Sequence, residues 1–139
     1  MFNNIQITLL TSAEYEKHKS IIPLINSDWW WLKDVYHKYR GSVHCVNDNG
    51  ALDYYYRCYY FSGVRPVLKM DLANIKSLHP GEHIRIGSKS FTILSWEADE
   101  LVALCDEFID TRRFNADSNE WETSELKQWL ETEGLKLIF

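Results

Sequence analysis

Residues 28–33 read DWWWLK (Asp28, Trp29, Trp30, Trp31, Leu32, Lys33). The run is short, apolar and aromatic, which predicts a buried strand. Successive side chains on a strand point to opposite faces, so three adjacent indoles cannot share one. Either both faces of this strand are covered, or one indole sits at a rim.

Working outward, NIQITLL alternates apolar and polar residues and predicts an N-terminal strand. TSAEYEKHKS predicts a short helix, with Thr11 or Ser12 as N-cap and acidic residues in its first turn, and Pro23 stops any continuation. On the other side, SVHCVNDNGALDY predicts a hairpin turning at Asn49-Gly50. GVRPVLKM predicts another strand, with Pro66 at an edge or an irregularity because it has no N–H to give a ladder. Two strands are expected around Gly87-Ser88, and ELVALC is expected to pair back across EADE. WETSELKQWLETEG predicts a helix capped by Thr123 or Ser124, with Leu126, Trp129 and Leu130 on its apolar face and Gly134 at its end. The expected fold class is α+β, with short antiparallel strands, two helices and long irregular connections in a single domain of residues 1–139.

Composition narrows function by exclusion. A formal charge of −5 argues against a non-specific nucleic-acid binder, and no stretch approaches a membrane span. MFNNIQITLL lacks a basic n-region and a signal-peptide core, so synthesis in the cytoplasm is expected. Transport outside the cell would then need a phage particle or another displaying component. Cys45, Cys58 and Cys105 form no C-x-x-C pair, which predicts reduced thiols. His37, His44, His79 and His83 fit no usual metal spacing. His44 and Cys45 are sequence neighbours, so on a strand they face opposite ways and make no nucleophile dyad. No glycine-rich phosphate loop, G-x-S-x-G elbow or H-E-x-x-H is present, and no catalytic residue, metal or cofactor is expected.

The chemistry-bearing feature is tyrosine. Seven of the eight tyrosines lie between Tyr36 and Tyr60, most of them in DYYYRCYY (53–60). Strand alternation cannot bury Tyr54, Tyr55 and Tyr56 on one side, so part of the set must face out. Tyrosine suits a binding face, offering a large rigid contact area, a polar tip and only two torsions to immobilise. The expected ligand-binding residues are Tyr36, His37, Tyr39, Arg40, His44, Asn47, Asp53, Tyr54, Tyr55, Tyr56, Arg57, Tyr59 and Tyr60. Arg65 is expected to be structural, donating to backbone carbonyls or a carboxylate beneath that face.

The same region has a second peculiarity. The thirty residues from Tyr39 to Leu68 contain no Lys, Glu, Gln, Met or Trp, although these five types fill 30 of the other 109 positions. About eight would be expected at ordinary usage. All five are encoded only by codons ending in a purine. Asn codons end in a pyrimidine, and changing their two adenines yields Tyr, His, Cys, Asp, Ser and Arg, the residues that crowd this tract.

WWWLK, the variable-looking tract at about 34–62 and the closing GVRPVL together resemble a bacterial and phage domain family. That family carries a W-W-L-R element, a V-x-x-x-G hairpin and a terminal G-V-R-P-A-L. Here the matching residues are Trp30, Trp31 and Leu32, then Val46 and Gly50, then Gly63, Val64, Arg65 and Pro66, with Lys33 in place of the usual Arg. The resemblance implies a C-type-lectin-like fold, related to the formylglycine-generating-enzyme fold. Several members are variable proteins of diversity-generating retroelements, whose error-prone reverse transcriptase rewrites adenines in this region. IRIGSKSFTILSW and RRFNADSNEWETSELKQWL resemble segments that precede W-W-L-R in the family but follow it here, which implies a circular permutation joined through MDLANIKSLHPGE. Such a permutation requires the N-terminal strand and the LKLIF end to lie close together.

The function implied is a non-enzymatic module that binds a protein or glycan on a cell or phage surface, without nucleic acid and without membrane insertion. The alternative is a small phage-encoded protein that inhibits a host enzyme by surface contact. A formylglycine-generating activity is not expected, because its pair of active-site thiols has no match here.

Overall fold

The computed structural model describes residues 3–36, 41–54, 57–71, 78–97 and 99–139. In chain order the elements are β1 (Asn3–Thr8), α1 (Ser12–His18), β2 (Trp30–Val35), β3 (Val43–Val46), β4 (Leu52–Asp53), β5 (Phe61–Val64) and β6 (Val67–Asp71). There follow β7 (His83–Ile86), β8 (Lys89–Glu97), β9 (Glu100–Cys105), β10 (Asp110–Arg113), α2 (Glu125–Trp129) and α3 (Leu135–Ile138). The strands form two five-stranded sheets, ordered β1-β6-β9-β8-β7 and β10-β5-β2-β3-β4. The fold is α+β.

The tryptophan run explains how the sheets share a core. Trp31 joins an apolar cluster with Cys45, Leu68, Ile93, Phe114 and Leu130, whereas Trp30 joins another with Tyr15, Leu32, Val67 and Leu104. Both faces of β2 are therefore covered, and the half-buried Trp29 takes the rim. α1 closes the Trp30 side. Its N-cap is Thr11, whose side chain and Glu14 form a reciprocal capping box. Tyr15, on that helix, meets Trp30 edge-on at 5.5 Å and donates to the Gly50 carbonyl. It is the one tyrosine outside the tract, and it is core.

GVRPVLKM is not one strand. Its first half is β5 in the second sheet and its second half is β6 in the first, with Arg65-Pro66 between them. Proline's missing N–H ends one ladder, and the chain crosses to the other. The crossing is secured on Cys105, whose N–H donates to the Pro66 carbonyl at 2.9 Å and whose carbonyl accepts from Arg65 Nε at 2.6 Å. The Arg65 guanidinium lies 4.9 Å from the Trp30 ring, and burial pushes its pKa down to about 10. It stays charged at neutral pH, and the structural role expected for it fits this position.

The C-terminal helix corrects a second expectation. Ser124 caps it, but Gly134 does not end it; φ there is −60° and the chain continues through one π-helical turn (Leu130–Gly134) into α3. The Thr132 hydroxyl donates to the Gln128 carbonyl at 2.8 Å, an intrusion into the ladder that suits a local widening. Gly134 is there for closeness, since a Cβ would meet Leu130 Cδ1 at 2.9 Å and Ile7 Cδ1 at 3.2 Å. The N-terminal strand thus lies directly against the C-terminal helix. Trp129, expected on the buried face, is only half-buried, with the Arg112 guanidinium 4.5 Å from its ring centroid.

Cys45, Cys58 and Cys105 are buried thiols outside any disulfide, and burial raises the Cys58 and Cys105 thiols above their ordinary pKa. Little thiolate and little access should make them slow nucleophiles. Alkylation at about pH 8 is expected to modify none of them in the native protein and all after denaturation. Rapid stoichiometric labelling of the folded chain would contradict this arrangement.

Candidate tyrosine face

The hairpin β3–β4 and the turn that follows position the expected binding residues. Cys45 pairs with Asp53 and Val46 with Leu52, and the connecting turn is closed by Asn47. Its Oδ1 accepts from the N–H groups of Asn49 at 2.9 Å and Ala51 at 3.0 Å, and Gly50 adopts φ +81°. That carbonyl oxygen is committed to the turn. Asp53 similarly accepts the Tyr54 N–H at 2.7 Å, ordering the entry to the tyrosine run.

One group of side chains converges. Tyr36 stacks on Tyr54 with centroids 4.1 Å apart, and meets His44 edge-on at 5.4 Å. His44 Nδ1 lies 3.3 Å from both the carbonyl oxygen and Oδ2 of Asp34. Asp34, which the sequence reading did not select, ties this group to α1 by accepting from the Ser12 N–H at 2.8 Å and its hydroxyl at 2.5 Å. The hydroxyl is turned to the carboxylate and not to the imidazole, so His44 does not activate it.

A second group follows. Arg57 forms an isolated bridge with Ser42, and the Tyr60 N–H donates to the Arg57 carbonyl at 3.0 Å in a tight turn. Tyr59 and Tyr60 meet edge-on at 5.2 Å and are 53% and 42% exposed; Phe61 beside them is 65% exposed. Phe61, not among the expected ligand-binding residues, directly continues the aromatic run. Cys58, in the middle of the run, points inward and is core. Its carbonyl accepts the N–H groups of Phe114 and Asn115, both at 2.9 Å, anchoring the turn to the body. The two groups are connected through Ser42, whose carbonyl accepts the Tyr36 N–H at 3.1 Å. His37, Tyr39, Arg40, Tyr55 and Tyr56 lie outside the described residues.

Elsewhere a polar cluster surrounds Asp106, which accepts from Thr92 Oγ1 at 2.5 Å and Ser90 Oγ at 2.9 Å, with His83 Nδ1 at 3.3 Å. Among the described residues no group of three His, Cys, Asp or Glu side chains is arranged to hold a metal ion.

Comparison with curated proteins and with solved structures finds no match. Residues 3–72, just over half of the chain, match the model of a domain of unknown function, DUF6273, and the chain belongs to that family.

Proposed function

We propose that the protein is a non-enzymatic ligand-binding module of C-type-lectin-like fold in circularly permuted order. It is a variable protein of the diversity-generating-retroelement type, of phage or prophage origin, and its tyrosine-rich face binds a protein or glycan ligand. The observation that carries this reading is a division of labour within one tract. Tyr59, Tyr60 and Phe61 are exposed and Tyr36, His44 and Tyr54 half-exposed, while Trp30, Trp31, Val64 and Arg65 on either side are buried. Side chains on such a face can change without disturbing the core beneath them.

One fact supports the permuted order: β1 lies against the C-terminal helix, as the two ends opened by a permutation must.

The test is a binding screen on immobilised glycans and on cell- and phage-surface proteins, run with the wild type and Tyr59→Ser/Tyr60→Ser. Selective binding by the wild type, abolished or redirected in the variant, is expected. Binding insensitive to these residues would remove the face from the reading. Capture of one intracellular host enzyme instead would favour an inhibitor.

A further inference from the structure

A cavity of about 450 Å³ lies along β1, away from the tyrosines. β1 is the outer strand of its sheet, and residues Ile5 to Thr8 form one wall. Lys127, Glu131 and Leu135 of the C-terminal helix contribute the opposite wall, with Trp121 and Lys33 also lining the space. Its volume falls in the range of metabolite pockets, about 300–1,000 Å³.

The charges of the lining are unequal in their partners. Lys127 Nζ is held between Glu122 Oε2 at 3.4 Å and Glu131 Oε2 at 3.6 Å. Among the described residues, the polar partner of Lys33 Nζ is a neutral group, Thr8 Oγ1 at 3.3 Å. Lys69 stands opposite Gln6 in the β1–β6 register. Among the described residues, no carboxylate oxygen lies within 4.0 Å of either Lys33 Nζ or Lys69 Nζ. Both side chains are half-buried. Lysines that merely guard a sheet edge extend into water; these two are half-buried and border a half-open cleft.

We infer that this cavity is a binding site for a small organic anion, with a carboxylate or phosphate group taken by Lys33 and Lys69 and an apolar body against Ile5, Leu135 and Trp121. The π-helical turn contributes Glu131 to the lining, and such turns concentrate at functional sites. A peptide strand pairing with β1 fits less well. The edge is obstructed at one end, where the Lys33 N–H donates to the Leu10 carbonyl at 2.9 Å, and the helix covers Ile7.

The experiment is an NMR titration of the whole chain with phenyl phosphate, benzoate and inorganic phosphate, and with neutral benzyl alcohol as control. Saturable shifts at the amides of Ile5–Thr8 and the Trp121 indole are expected with the aromatic anions and not with the alcohol. Saturation by inorganic phosphate equal to that by phenyl phosphate would keep the anion site and overturn the apolar part. Lys33→Gln with Lys69→Gln should weaken binding about tenfold or more, the worth of a charge-assisted hydrogen bond. Glu131→Gln, which removes a carboxylate from the lining and leaves Lys127 paired with Glu122 alone, should tighten it about threefold. Absence of saturable shifts with every anion would overturn the proposal. So would unchanged affinity in the double lysine variant with an otherwise unaltered spectrum. Should that variant fail to fold, unchanged affinity in Glu131→Gln overturns it alone.

Discussion

Trp31→Ala is expected to lower the free energy of unfolding by about 3–5 kcal/mol. The indole is fully buried, meets Phe114 edge-on at 5.7 Å, and donates from Nε1 to the Arg112 carbonyl at 2.7 Å. Truncation leaves a cavity between the two sheets and an acceptor without its donor. A domain of this size holds about 5–15 kcal/mol in total, so the variant should be marginal at room temperature. Tyr59→Ser, on the exposed face, should change stability by no more than about 0.5 kcal/mol. Urea denaturation of both variants measures the contrast. Similar large losses from both would mean that the tyrosines are framework, and the binding-face reading would fail. Trp129→Ala belongs between these limits, because its ring is half-buried beneath Arg112.

Gly87→Ala should cost about 3 kcal/mol, far more than an exposed turn normally does. Gly87 has φ +60°, where an L-residue carries about 1–2 kcal/mol of strain. A Cβ there would also run into the Ile138 carbonyl oxygen. That oxygen is the hook of the chain end, accepting the Ser88 N–H at 2.7 Å and the Ser88 hydroxyl at 2.9 Å. Ile138 itself is fully buried, and exposing it forfeits about 1.5–3 kcal/mol. Hydrogen exchange should show protection lost selectively over Leu135–Ile138. Unchanged protection there, with the turn intact, would show that the hook tolerates the side chain.

Much of the fold was legible because it is written in local signals. The Trp run announced a buried strand with both faces covered or one indole at a rim, Asn49-Gly50 a hairpin, Gly87-Ser88 a turn, and Thr11 or Ser12 a cap. What failed was local evidence with two meanings. Pro66 signals a break, but not that the chain changes sheets there. Gly134 has the composition of a helix end, whereas its cause is the nearness of Ile7, more than a hundred residues away in sequence. β10 was missed because Asp110–Arg113 is polar throughout and owes its extension to pairing with β5. The crowding of tyrosine was legible from composition, but the contacts of Asp34 and the exposure of Phe61 were not, and Cys58 within the run is core. The anion cavity left no sequence signal, since Lys33, Lys69 and Trp121 meet only after folding.

The pairing order of the first sheet also bears on how the chain is made. β1 pairs with β6, and β6 in turn with β9, so residues 3–8 find their first ladder partner some sixty residues later, and that partner its own second neighbour at Glu100–Cys105. Pairings of such long sequence separation form slowly, in about milliseconds to seconds. On a ribosome adding about 5–20 residues per second, NNIQIT must therefore wait for several seconds with both edges open. During that interval the nascent chain offers an unpaired strand edge with Ile5 and Ile7 uncovered to any neighbour, and its yield in a cell should depend on chaperones that occupy it before Cys105 has left the exit tunnel.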